Sequence, residues 1–217
     1  FQHQCAICGE CCRDVKDSIM LESLDLYNIA RLLGKQITAV ITEYTFPLVL
    51  DKGFPYLVAK TRPHRDACIF LRAGKCTIHG ANPRVCRLYP LGVYPDDRNP
   101  QQLNAIIVSK KQHHFTGRTW RVADWLDNCL SAVDREYIPK DAANITRIAP
   151  IFRRAYQRNP ENAVLVSAHF KYADYDTDKP FMPQYDRTIA RLLDLLGRIP
   201  GAENPPIWTL FCPPLPG

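Results

Sequence analysis

The stretch CAICGECC, Cys5–Cys12, gathers four of the chain's nine cysteines into eight residues, the last two of them adjacent. Its spacing is Cys5-x2-Cys8-x2-Cys11, followed directly by Cys12. A CxxC unit lets a tight turn point two thiolates at one ion, and here the unit is doubled. The resulting Cx2Cx2C run matches the three-cysteine run of bacterial ferredoxins, which wraps a cubane cluster. Zinc ribbons more often pair one CxxC with a distant second one, and the chain has no second, separate CxxC. The run points to a metal and, by its ferredoxin-like spacing, towards iron–sulfur more than zinc.

The other cysteines form a second group, Cys68, Cys76 and Cys86, and two single residues, Cys129 and Cys212. Ala73-Gly74 predicts a tight turn that brings Cys68 and Cys76 towards each other. Asn82-Pro83 opens a short helix that carries Cys86 and is closed by Pro90. Adjacent side chains diverge in most backbone conformations, so Cys11 and Cys12 are expected to serve different sites. The candidate metal ligands are Cys5, Cys8, Cys11, Cys12, Cys68, Cys76, Cys86 and Cys129. Eight thiols suffice for two four-thiolate sites, or for one site with accessory thiols.

Simpler readings compete with this one. Disulfides fit poorly, because the cysteine count is odd and a run at three-residue spacing cannot bond within itself in relaxed geometry. Cys129 alone would read as a small buried hydrophobe. His79 reads as structural, His113-His114 on a polar stretch as surface, and Cys212 among prolines as unliganded.

Hydrophobic residues at 46% and charged ones at 23% are ordinary for a globular chain of 217 residues. No apolar run approaches the roughly 18 residues that span a bilayer. The formal charge of +6 omits thiolates, and basic residues such as Arg62, Arg84, Lys110 and Arg153 are scattered. A solvated basic surface is expected, not a nucleic-acid interface. The cytoplasm is the expected compartment, with export left open by an opening residue, Phe1, that is not Met.

The fold class read from these patterns is α+β. A small, irregular, cysteine-rich metal-binding domain of short helices and strands occupies 1–130, and a mainly helical extension with a proline-rich tail occupies 131–217. Within the first, Ser23 caps a helix that Gly34 ends, and Thr38 caps a second. Residues 56–60 and 103–111 read as strands. Residues 120–137 read as one amphipathic helix, with Val122, Trp125, Leu126, Cys129 and Val133 on its apolar side. Helices around 144–157 and 184–197 follow, with a strand, AVLVSAHFKY, between them.

FQHQCAICGECCRD, LESLDLYNIARLLGKQ and CIFLRAGKCTIHGANPRVCRLYPLGVYP together resemble the CxxCxxCC, or YkgJ-like, cysteine-cluster family over about residues 3–130. That family is described as zinc- or iron-chelating, or iron–sulfur. Its eight-cysteine pattern maps onto the eight candidates above, with Cys129 the last. The resemblance implies a metal cofactor, with a 4Fe-4S iron–sulfur cluster favoured and zinc the alternative. Three functions are compatible with it: redox or iron handling by an iron–sulfur protein, a zinc-stabilised interaction module, and a protein-modifying enzyme. The last rests only on the family's link with flagellin lysine N-methylase, since the chain has neither G-x-G-x-x-G nor a radical-SAM CxxxCxxC run. The sequence specifies neither the redox or protein partner nor the oligomeric state.

Overall fold

Glu22 opens the first helix, α1 (Ser23–Leu33), through a capping box with Asp25; Ser23 is its first residue and not its cap. Gly34 ends it at φ 61°, a left-handed position that favours glycine. α2 (Ile37–Tyr44) follows, with Gln36 and not Thr38 at its N-cap position. The computed structural model describes residues 1–16, 18–49, 54–96, 98–99, 102–108 and 111–200. The proline-rich tail at 205–217, with Cys212, and the expected strand end at 109–110 lie outside them.

The architecture is α+β. Strands β1 (Met20–Leu21), β2 (Thr45–Val49) and β3 (Pro55–Ala59) form an antiparallel sheet in the order β1-β3-β2. The cysteine-bearing region is built from smaller pieces. β4 (Thr61–Arg62) pairs with β5 (Ala67–Cys68), with Thr61 opposite Cys68. β6 (Leu71–Arg72) pairs with β7 (Lys75–Cys76). Ala73 (φ 45°) and Gly74 (φ 76°) make the turn between them, both left-handed as a tight hairpin requires. α3 (Arg84–Arg87) carries Cys86, and the hairpin β8 (Leu91–Pro95) with β9 (Leu103–Ile107) follows it.

Two expectations for the second half are corrected. Residues 120–137 are two helices, α4 (Val122–Cys129) and α5 (Ala132–Arg158), divided at Ser131. Ser131 and Asp134 form a capping box that starts a new helix, so Val133 lies on another axis and is 40% exposed, as is Val122 at 42%. The stretch AVLVSAHFKY is helical, within α6 (Pro160–Ala168) and a π-helical turn at His169–Ala173. Asn159 caps α6 and Pro160 occupies its first turn, a start signal that outweighs local β propensity. α7 (Phe181–Arg198) completes the chain's described part, burying Phe181, Tyr185, Ile189, Leu192 and Leu196 at helical spacing.

One hydrophobic core takes side chains from both sides of residue 130: Leu26, Ile29 and Val40 from the first helices, and Tyr137, Phe152, Tyr185 and Leu192 from α5 and α7. Buried Lys171 and the Tyr185 hydroxyl both donate to Asp141, tying the π-helical turn and α7 to α5. Among the described residues no helix is long and apolar enough to cross a membrane.

Helix α3 is clamped at both ends by arginines. Arg84 makes a two-pronged ion pair with Glu22, and its backbone N–H donates to Asp25. Arg87 donates to both Asp134 oxygens at 2.9 and 2.7 Å and to the Cys129 carbonyl at 2.9 Å. A four-residue helix has no stability of its own, so these forks set where Cys86 points. Burial works against the Asp134 charge, but the Arg87 and Ser131 hydrogen bonds and the Arg87 charge outweigh it and hold its pKa below the ordinary value. Asp134→Asn is expected to cost about 3 kcal/mol, the scale of breaking a buried pair, and to lower the melting midpoint by roughly 6–12 °C. A depressed carboxylate stabilises fully above its unfolded pKa and loses that contribution as pH falls through the folded one. The difference between wild type and variant should therefore shrink below about pH 4. Urea unfolding at pH 7 and pH 3 measures both.

Candidate metal centre

The CAICGECC loop is wound by left-handed residues. Ile7 (φ 52°), Gly9 (φ 71°) and Asp14 (φ 57°) break any regular helix or strand. A 3-10 turn, Glu10–Cys12, is closed by Cys12 N–H donating to the Gly9 carbonyl. Surface charges fasten the loop from outside: Arg65 pairs with Asp14 and Glu10, and Lys111 Nζ donates to the Glu10 carbonyl. Arg62 holds the facing segment by donating to the carbonyls of Ile69 and Leu71 at 2.7 Å each.

Gly9 packs against the β6–β7 turn. A Cβ there would sit 2.5 Å from the Gly74 carbonyl oxygen and 2.9 Å from a Leu71 methyl. The obstacle is backbone and the φ is left-handed, so Gly9→Ala is expected to cost roughly 1–3 kcal/mol. It should also part the cysteine loop from Cys76, so metal affinity should fall along with the melting midpoint. Retention of both would remove this contact from the account.

All eight candidate cysteines line one cavity of about 310 Å³. Cys68 is buried, Cys11, Cys12, Cys76, Cys86 and Cys129 are half-buried, and Cys5 and Cys8 are exposed. None of the eight is in a disulfide. The Cys11 and Cys12 sulfurs do not diverge as the sequence reading expects: they lie 4.0 Å apart. Sulfurs bound to one tetrahedral zinc at about 2.3 Å would be ~3.8 Å apart, so one ion can take both. The 3-10 turn turns both side chains to one side.

Electrostatics group five of the thiols. Interaction with the Cys12 thiol lowers Cys11 to about 7 and Cys76 to about 6, while Cys12 itself is raised by both neighbours. Burial raises Cys68, and burial with the neighbouring Cys68 and Cys11 charges raises Cys86. Burial also raises Cys129, against the lowering effect of the Asn128 hydrogen bond and the Arg87 charge. The inner group is Cys11, Cys12, Cys68, Cys76 and Cys86, a sulfur nest that favours a cation. Cys5, Cys8 and Cys129 line the same cavity outside it.

Histidine 114 is a residue the sequence reading misplaced. It is 7% exposed, not on the surface, and lines the cavity. Its Nε2 lies 3.6 Å from Cys8 Sγ, and its Nδ1 lies 2.5 Å from the Tyr89 hydroxyl. His3 packs beneath, its Nδ1 2.9 Å from the His114 carbonyl and its ring edge-on to Trp125. Burial and the nearby His113, Lys111 and His3 charges hold His114 below the ordinary histidine pKa. Tyr89 and His3, distant in the chain, hold this ring and its carbonyl, and its polar sequence neighbours carry no signal of that. His79 lines the cavity from an exposed position.

The CxxCxxCC family model, described as a "putative zinc- or iron-chelating domain", matches residues 4–114. The match takes in seven of the cavity's cysteines and ends at His114, leaving Cys129 beyond it. No curated protein and no solved structure matches the chain. The matched span covers just over half of the 217 residues, and the chain belongs to the CxxCxxCC family.

Proposed function

We propose that the chain holds an iron–sulfur centre on Cys11, Cys12, Cys68, Cys76 and Cys86 and serves in electron transfer or iron handling. The observation that carries this reading is the convergence of eight thiols on one cavity of about 310 Å³. A structural zinc is closed by four ligands packed tightly around it, and needs neither the additional sulfurs nor the space. Iron–sulfur clusters are held by cysteine thiolates, four for a cubane cluster, and the inner group alone offers that many. Exposed Cys5 and Cys8 put one side of the centre at the surface, where an electron partner or an iron ligand has access.

A zinc-stabilised module is the second reading. Two-residue strands and a four-residue helix around Cys68, Cys76 and Cys86 give metal binding folding energy to supply. Visible absorption of anaerobically purified protein separates the two readings. The iron–sulfur reading expects a broad brown band bleached by dithionite; a colourless protein with stoichiometric zinc would replace it with the second.

A further inference from the structure

We propose a second, mononuclear metal site at the mouth of the cavity, in which Cys8, His113 and His114 bind one zinc-like divalent ion. This goes beyond the inner sulfur centre and does not depend on which metal that centre takes. The ligand atoms of the three residues all lie within 4.8 Å of one another. The Cys8 Sγ to His114 Nε2 separation is 3.6 Å. On a tetrahedral ion with bonds of about 2.3 Å to sulfur and about 2.0 Å to nitrogen, those two atoms would be ~3.5 Å apart. The pair already has ligand spacing without moving.

The group that orients the His114 ring is in place too. Histidine ligands are characteristically fixed by a partner on the ring nitrogen that does not bind the metal. Here the Tyr89 hydroxyl meets Nδ1 at 2.5 Å and leaves Nε2 facing Cys8. The ring is further held by its edge-on contact with Tyr89, and its backbone by His3. His113, exposed beside it, brings the third donor from the same 3-10 turn, Gln112–His114. One thiolate and two imidazoles suit a borderline ion such as zinc, and three protein ligands leave a fourth position for water or a donor atom of a bound molecule. Cys8 is thereby assigned to the nitrogen-containing site and not to the inner group.

The test loads anaerobically prepared full-length protein with zinc alone, counts zinc per chain, and reads its ligand shells by X-ray absorption at the zinc edge. The wild type should show nitrogen as well as sulfur neighbours. His113→Ala, on an exposed side chain, and His114→Ala should each weaken one zinc equivalent at least tenfold. Tyr89→Phe keeps the imidazole and loses its partner, and should weaken the same equivalent by roughly 10- to 100-fold. Should His114→Ala fail to fold, His113→Ala and the wild-type ligand shell still decide. Zinc bound by sulfur only, or unchanged zinc affinity in folded His113→Ala, would overturn this site and leave the inner centre standing. A wild type that binds no metal under any loading would overturn both.

Discussion

Cys12→Ala is expected to lower metal affinity by at least roughly tenfold, more than any other single cysteine replacement. Loss of a residue that merely orients a ligand already costs 10- to 100-fold, and a ligand should cost no less. Cys12 sits 4.0 Å from the Cys11 sulfur and interacts electrostatically with Cys76. Its removal leaves Cys11 and Cys76 as neighbouring thiolates without the group that joins them. Cys5→Ala serves as the comparison, since Cys5 is exposed and outside the inner group. Metal content is measured after dialysis against a competing chelator of graded strength. Equal retention by Cys12→Ala and wild type would remove Cys12 from the ligand set.

Removing the metal is expected to lower the melting midpoint by roughly 8–16 °C. A ligand held at about a thousandfold above its dissociation constant stabilises the folded state by about 4 kcal/mol, and a chain of this length shifts roughly 2–4 °C per kcal/mol. The loss should be local in origin. Residues 61–90 contain two-residue strands and one four-residue helix, while α5 and α7 bury a continuous stripe of aromatic and aliphatic side chains. Amide exchange should rise first around Cys68, Cys76 and Cys86, with the middle of α5 and of α7 still protected. An unchanged midpoint, with metal loss verified, would mean that the arginine clamps and the core hold the cysteine loops by themselves.

The gathering of the Cys5–Cys12 thiols was legible because four lie within eight residues, but which of them point inward was not: Cys11 and Cys12 turn to one side while Cys5 and Cys8 stay exposed. The Ala73-Gly74 turn and the Gly34 helix end were legible as well, each fixed by the φ its residues adopt. The helix break at Ser131 was also written in the chain, as Ser131-x-x-Asp134, but the apolar periodicity ran through it and masked the cap. AVLVSAHFKY misled through its β-branched residues; it is apolar on several sides because α6 packs against both α5 and α7. His114 could not be placed from its neighbours. Its burial comes from the N-terminal segment, where the His3 backbone N–H donates to the Arg118 carbonyl and the His3 ring packs on Trp125, contacts more than a hundred residues apart in the chain. The same long reach puts Arg87 on Asp134 and so aims Cys86.

Iron, zinc and acid-labile sulfide, counted per chain in protein purified without exposure to air, test the central claim most directly. An iron–sulfur centre on the inner cysteines predicts iron and sulfide in about equal numbers, several of each per chain, both lost together in Cys12→Ala. Stoichiometric zinc with no sulfide in the same anaerobic preparation would contradict it.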